Sequence, residues 1–214
     1  LLTQIEKRKK GLMQRLLSPK EEQRMIEIGE IASELSIRNK KGYDFTVLSC
    51  TKYEGLVDSL KYFGRKIYSD DLSTYKIVPQ NAFAYATNHI EEGSIGYQRV
   101  YQNALISPMY TVFKTSDLVD DSYLFFVLKS DRYIKIYQQN MSGSIDRRGA
   151  LRWVDFAKLK IPFPPLAEQI RIAEILNAAD AEIRETKAYL EQLKAQKRGL
   201  MQQLLTGKVR VKTT

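Results

Sequence analysis

The sequence predicts an α+β fold, a mixed α/β domain flanked by long coiled-coil-forming helices, and three observations predict it. One sixteen-residue stretch occurs twice, near the two ends of the 214-residue chain. The second copy lies in a run of apolar residues spaced alternately four and three apart, the a/d seam of a coiled coil. Between the copies, short β-branched and aromatic runs separated by turn residues replace that period. The expected boundaries are a helix end over 1–20, a mixed domain over 21–165, a long helix over 166–206 and a tail over 207–214.

Residues 2–17 read LTQIEKRKKGLMQRLL and residues 190–205 read LEQLKAQKRGLMQQLL, a constant offset of 188 without a gap. Leu2, Gln4, Lys9, Gly11, Leu12, Met13, Gln14, Leu16 and Leu17 all recur identically. Solenoids repeat at about 20–50 residues, so the longer spacing implies a duplicated module whose boundary falls inside a helix. The C-terminal seam runs Ile172, Leu176, Ala179, Ile183, Thr186, Leu190, Leu193, Lys197, Leu200, Leu204, and the N-terminal one Leu2, Ile5, Lys9, Leu12, Leu16. Pro162, Pro164 and Pro165 close the preceding segment, since proline lacks a donor and restricts the residue before it. Thr206-Gly207 is a suitable stop. Roughly 38 residues at about 1.5 Å each make a rod of about 57 Å, too long to satisfy its seam against a small domain. A partner helix is required, and Leu12, Leu16, Ile183, Leu190, Leu193, Leu200 and Leu204 are the expected pairing residues. Lys9 and Lys197 interrupt the seam at equivalent places, where a charge can set register and oligomer state. Gly11 and Gly199 follow, and either close backbone approach or tolerance near a helix end accounts for them at about 1 kcal/mol against alanine.

In the middle, residues 46–49, 76–78, 82–86, 104–107 and 110–113 read as strands. Residues 119–129 read as a helix continuing through Tyr133 and Tyr137, and residues 26–31 and 154–158 as short helical or turn segments. Ten of the thirteen tyrosines lie from Tyr43 to Tyr123, most of them expected in the core or its rim and a minority available to bases.

Apolar residues make up 43% of the chain and charged ones 28%, and no apolar run approaches the roughly 20 residues of a membrane span. Residues 1–20 are basic and lack an apolar stretch, so they are no secretory signal. The missing initiator Met predicts a chain that starts inside a longer gene product or was processed. The single Cys50 rules out an internal disulfide framework and fits a reducing cytoplasm. The net charge of +9 invites a nucleic-acid partner, but its location matters. Residues 1–20 carry +5 and residues 168–214 carry +3, so the stretch between is nearly neutral and any DNA surface there is a local patch.

The strongest such patch is residues 140–151, NMSGSIDRRGAL. Ser142, Gly143 and Ser144 form a turn with two hydroxyls, and Arg147 and Arg148 set two guanidiniums beside Gly149. Guanidinium forks suit phosphate oxygens or guanine O6 and N7; alternatively, Asp146 pairs one arginine and the loop is merely solvated. A second patch, residues 87–99, offers Asn88, Tyr97 and Arg99 on groove-facing loops, weakened by Glu91 and Glu92. Arg65 and Lys66 after Gly64 make a third, equally readable as a solvated turn.

No phosphate loop, glycine-rich dinucleotide fingerprint or His/Cys metal cluster occurs, and His89 is the sole histidine. Ser107-Pro108-Met109-Tyr110 is weakly similar to the motif with which amino methyltransferases grip a base, yet it reads better as the end of one strand and the start of another. No catalytic residue and no metal site is assigned.

The stretch LKIPFPPLAEQIRIA over 159–173, with the Ile-Pro-x-Pro-Pro-Leu-x-Glu-Gln turn at 161–169, leads into the helix ending KRGLMQQLLTGK. Together they resemble the distal conserved region of type I restriction–modification specificity subunits. The Gly-Ser-x-x-Arg-x-Gly stretch at 143–149 and Ile106-Ser107-Pro108-x-Tyr110 are similar to that family's target-recognition domains. The resemblance implies a DNA-specificity subunit without catalysis of its own, in which an antiparallel helix pair holds two recognition domains apart, each reading half of a split site on double-stranded DNA. It implies docking to modification subunits that hold S-adenosylmethionine and methylate adenine, and a restriction subunit that joins them, in the cytoplasm. This chain has one recognition domain, so it is expected to be half of a longer protein or a half-length subunit that forms a homodimer reading an inverted repeat. A recognition fragment of an adenine methyltransferase or nuclease, and a coiled-coil dimerisation scaffold, are the rival readings.

Overall fold

The computed structural model describes residues 1–141 and 149–207. Its contacts divide into two units, one of Leu1–Arg15 with Glu174–Thr214 and one of Leu16–Ala173.

The larger unit is built on a strand whose composition explains its place. Strand β6 (Ala82–Ala86, AFAYA) is buried at every residue. Alternate strand residues point to opposite faces, so Phe83 and Tyr85 share one face and the alanines the other. On the aromatic side Phe83 stacks on Phe113 at 4.9 Å between centroids, and Tyr85 on Phe156 at 4.6 Å. On the small side Ala82 and Ala84 pack with Val78, Ile106 and Val112, where larger side chains would not fit between two sheets. The first sheet has the order β2 (Ala32–Leu35), β9 (Tyr110–Thr115), β6, β7 (Ile95–Gln98), all antiparallel. The second runs β4 (Gly55–Asp58), β3 (Val47–Thr51), β8 (Asn103–Ile106), β5 (Lys76–Pro79), with β3 and β8 parallel. A third, two-stranded sheet pairs β1 (Met25–Glu27) with β10 (Lys160–Pro162).

All five expected strands are present. Residues 26–31 divide between β1 and the short helix α2 (Ile28–Ile31), and α3 (Ser59–Phe63) follows β4. The single helix expected over 119–137 is two, α4 (Asp121–Leu128) and α5 (Asp131–Met141). The Asp120 carboxylate accepts from Tyr123 N at 2.7 Å to start α4, and Ser130 Oγ donates to Val127 O at 2.7 Å to close it. Helix α6 (Trp153–Phe156) supplies the aromatic ceiling over Tyr85 and Phe113. Five of the thirteen tyrosines are buried, and three of these, Tyr123, Tyr133 and Tyr137, spend their hydroxyls on the carbonyls of Pro162, Lys160 and Leu128, whereas Tyr43, Tyr53, Tyr62 and Tyr189 are exposed.

The proline turn before α7 (Leu166–Leu205) is anchored within the larger unit. The fully buried Gln169 amide donates to Pro164 O at 2.9 Å and accepts from Asp120 N at 2.9 Å, tying the turn to the start of α4. Glu168 pairs with Lys20 Nζ at 2.6 Å.

The smaller unit is helical. Helix α1 (Leu2–Leu17) is joined to α7 by ion pairs that include Glu6 with Lys187, Arg8 with Glu182 and Lys9 with Asp180. One number rises as the other falls, so the pair is antiparallel. Ile5, Leu176, Ala179 and Ile183 are buried along the seam, and Leu12 and Leu16 are partly buried. From Lys187 to Gly207 every residue is exposed, Leu190, Leu193, Leu200 and Leu204 among them. Those four expected pairing residues therefore have no cover among the described residues. The helix ends in Gly207 at φ +73°, whose N–H donates to Leu204 O at 3.2 Å. A methyl group at Gly11 or Gly199 would meet nothing within 4 Å, so the close approach considered for these glycines is not made by the described residues. No helix of the described residues is long and apolar enough to cross a membrane.

Candidate nucleic-acid interface

The candidate loops are carried at the ends of the packed strands described above. Residues 87–89 follow β6, and residues 107–109 join β8 to β9 in a turn closed by Tyr110 N donating to Ser107 O at 3.1 Å. That turn is the strand end expected of Ser107-Pro108-Met109-Tyr110, with Met109 exposed at its tip. Thr87 holds the two together, its hydroxyl donating to Met109 O at 3.1 Å. Its own carbonyl accepts from Leu151 N at 3.0 Å, so the exit of the arginine-bearing segment arrives at the same place.

The other stem of that segment is the end of α5, which Gln138 Nε2 holds by donating to Glu91 O at 3.4 Å. The stems touch: a Cβ on Gly149 would lie 2.7 Å from Met141 O, which requires glycine there. Ser142, Gly143, Ser144, Arg147 and Arg148 themselves lie outside the described residues.

A groove of about 360 Å³ opens beside these loops, lined by Asn88, His89, Ser107 and Met109 and also by Ile67 and Tyr68. Asn88 lines this groove. Arg65 and Lys66 directly precede the lining residue Ile67 in the chain, after Gly64 caps α3 at φ +64°. Lys66 pairs with Asp70 and lies over the Tyr68 ring at 5.3 Å, while Arg65 is exposed. Sequence reasoning passed over the rest of this strip. Lys61, Tyr62, Phe63, Arg65, Lys66 and Ile67 are all exposed, an interleaving of cations and apolar rings that suits a polyanion with stacked bases. The run SLKYFGRKIY was the available signal.

The second patch does not hold together. Residues 95–98, expected as a groove-facing loop, form β7, because Gly96 must cross β4 closely: a Cβ there would lie 2.3 Å from Leu56 N. Tyr97 stacks on Phe83 at 4.7 Å and its hydroxyl donates to Asp121 Oδ2 at 2.9 Å. Burial beside that carboxylate pushes the Tyr97 phenol well above its ordinary range. Arg99 lies over the Tyr97 ring at 5.2 Å, at the opposite end of the β6–β7 pair from Asn88. Tyr97 and Arg99 are therefore not brought to the groove.

Among the described residues, His89, Glu91 and Glu92 bring ligand-type atoms within 4.8 Å of one another on the turn at Ile90–Glu92. His89 Nδ1 lies 3.8 Å from Glu92 Oε1, a surface pair that is ionic only when the imidazole is protonated. Burial pushes the Cys50 thiol up to about 12, so it stays protonated at neutral pH and is a poor nucleophile.

The family model for the type I restriction modification DNA specificity domain matches residues 21–195. The type I restriction enzyme MjaVIII specificity subunit of Methanocaldococcus jannaschii is 34% identical over 123 residues, covering 58% of this chain and 26% of that protein. Two solved structures share the fold at 15% identity. The HsdS subunit from Thermoanaerobacter tengcongensis matches with a TM-score of 0.58 over 94% of this chain and 51% of that one. The S subunit of a type I system from M. genitalium matches at 0.59 over 93% and 53%. The chain thus spans about half the length of these structures and matches about a quarter of the curated relative.

Proposed function

The chain belongs to the type I restriction modification DNA specificity domain family, and we propose on that premise that its globular unit reads one half of a split DNA site without catalysing any reaction. The observation that carries this reading is the meeting at Thr87 of three separate segments: the loop bearing Asn88, the turn at Met109, and the exit of the segment bearing Arg147 and Arg148. Direct readout needs a few side chains held in one place by rigid elements, and arginine and asparagine are the side chains that make bidentate bonds to guanine and adenine. The strip from Lys61 to Ile67 then supplies phosphate contact beside the groove.

Chemistry belongs to partners on this account. Modification subunits hold S-adenosylmethionine, methylate adenine and dock on the helical unit, and a restriction subunit joins the assembly in the cytoplasm. The bare stretch of α7 is completed by a second helix, from a companion module or from a second subunit.

Selection of duplexes from a random pool by the purified chain, with and without its modification subunit, tests the reading. One recurring half-site is expected, bound with a negative salt dependence. Replacing Arg147 and Arg148 by alanine is expected to remove the preference while leaving α1–α7 pairing intact. A pool without any preferred sequence in either condition contradicts it. Adenine methylation by the chain alone with S-adenosylmethionine would make it an enzyme instead.

A further inference from the structure

Of the apolar side chains on the groove, Met109 is the most open, 63% exposed against 47% for Ile67. A single exposed apolar side chain is ordinary on a protein surface, and exposure alone argues nothing. What sets Met109 apart is how firmly its backbone is fixed. Its N–H donates to Ser107 Oγ at 3.5 Å, its carbonyl accepts from the Thr87 hydroxyl at 3.1 Å, and Tyr110 N closes the turn on Ser107 O at 3.1 Å. The two ends of that turn are β8 and β9, each an interior strand of its sheet. The same Thr87 oxygen lies 3.3 Å from Asn88 Oδ1, so one hydroxyl touches both the Asn88 amide and the Met109 carbonyl. Asn88 is half-buried, and its Nδ2 has no partner among the described residues.

An amide with a free donor, set beside a thioether, matches the two halves of one base pair. Adenine presents N6–H and N7 to the major groove, and the thymine opposite presents O4 and its 5-methyl group. Asparagine meets the first pattern bidentately, Oδ1 accepting from N6 and Nδ2 donating to N7. The methyl group is apolar, and the unbranched, polarisable methionine chain packs well on an irregular apolar surface of that size. A G·C pair offers Met109 no such group. We infer that Met109 reads the 5-methyl group of a thymine whose paired adenine is held by Asn88, with Thr87 positioning both. This rests on the globular unit reading DNA, and names the base pair that this part of the groove selects.

Competition binding tests it, on the full chain with its modification subunit, using the half-site that duplex selection returns. Deoxyuridine replaces each thymine in turn, which removes the 5-methyl group and keeps every hydrogen-bonding atom. At one thymine the exchange is expected to weaken wild type about four-fold, the effect of burying one methyl group. Met109→Ala, at an exposed position, is expected to keep its fold and to bind thymine and uracil there equally. Thr87→Val keeps the side chain's shape without its hydroxyl, and should shrink the discrimination with Met109 still present. Asn88→Ala should relax the choice of adenine in the same pair by at least about five-fold. A half-site without an A·T pair, uracil tolerated at every thymine, or a uracil penalty that survives Met109→Ala overturns the inference and leaves the DNA reading standing. A pool without any preferred sequence overturns both.

Discussion

Helix α1 and residues 190–205 are two versions of one sequence in two environments. Nine residues are identical, yet Ile5 is 7% exposed while its counterpart Leu193 is 42% exposed. Burial here is set by what the rest of the chain provides. Residues 174–187 supply an acidic, apolar strip opposite the first copy, and nothing among the described residues does so for the second. A helix that keeps a wet leucine seam carries a contact that has yet to be made, since seam burial is what holds such helices together.

The sharpest way to test this contrast is to delete the same kind of side chain in both settings. Leu176→Ala, at a fully buried position, should cost about 2–5 kcal/mol in chemical denaturation of the helical unit. Leu200→Ala, at a position 55% exposed, should fall within about 0.5 kcal/mol of wild type in the chain alone. Equal costs would mean that the second seam is already covered.

A smaller effect separates the two seam lysines. Lys9→Ala removes the pair with Asp180, about a quarter exposed on each side, and should cost about 0.5–1 kcal/mol. Lys197→Ala should leave the stability of the chain alone unchanged, as read by the same melts. Of similar size but opposite sign, Gly11→Ala and Gly199→Ala should each stabilise their helix by up to about 1 kcal/mol, because no atom stands within 4 Å of the added methyl. If Gly199→Ala also weakens docking of a partner, the glycine serves a close approach by that partner.

The helices and their seam were legible because their period is local and survives over many residues. Strands β3, β5, β6, β8 and β9 were legible from composition. Those that were not owe their state to distant partners. Met25 pairs with Pro162, and no property of three residues announces that. Residues 95–98 read as a loop because of Gly96, yet the glycine is there to let β7 cross Leu56. Tyr97 therefore lies on a strand and Arg99 directly after it, at the far end of the β6–β7 pair from Asn88. Asn88 lines the groove, and Thr87, which bonds to Met109 and Leu151 beside it, gave no signal beyond an ordinary hydroxyl.

The claim that the globular unit reads DNA is tested most directly by methylome sequencing of cells carrying the complete system. Wild type should show methylated adenines at one recurring motif. Replacing Arg147 and Arg148 by alanine should erase or relax one half of that motif and leave the other. An unchanged motif would contradict the account.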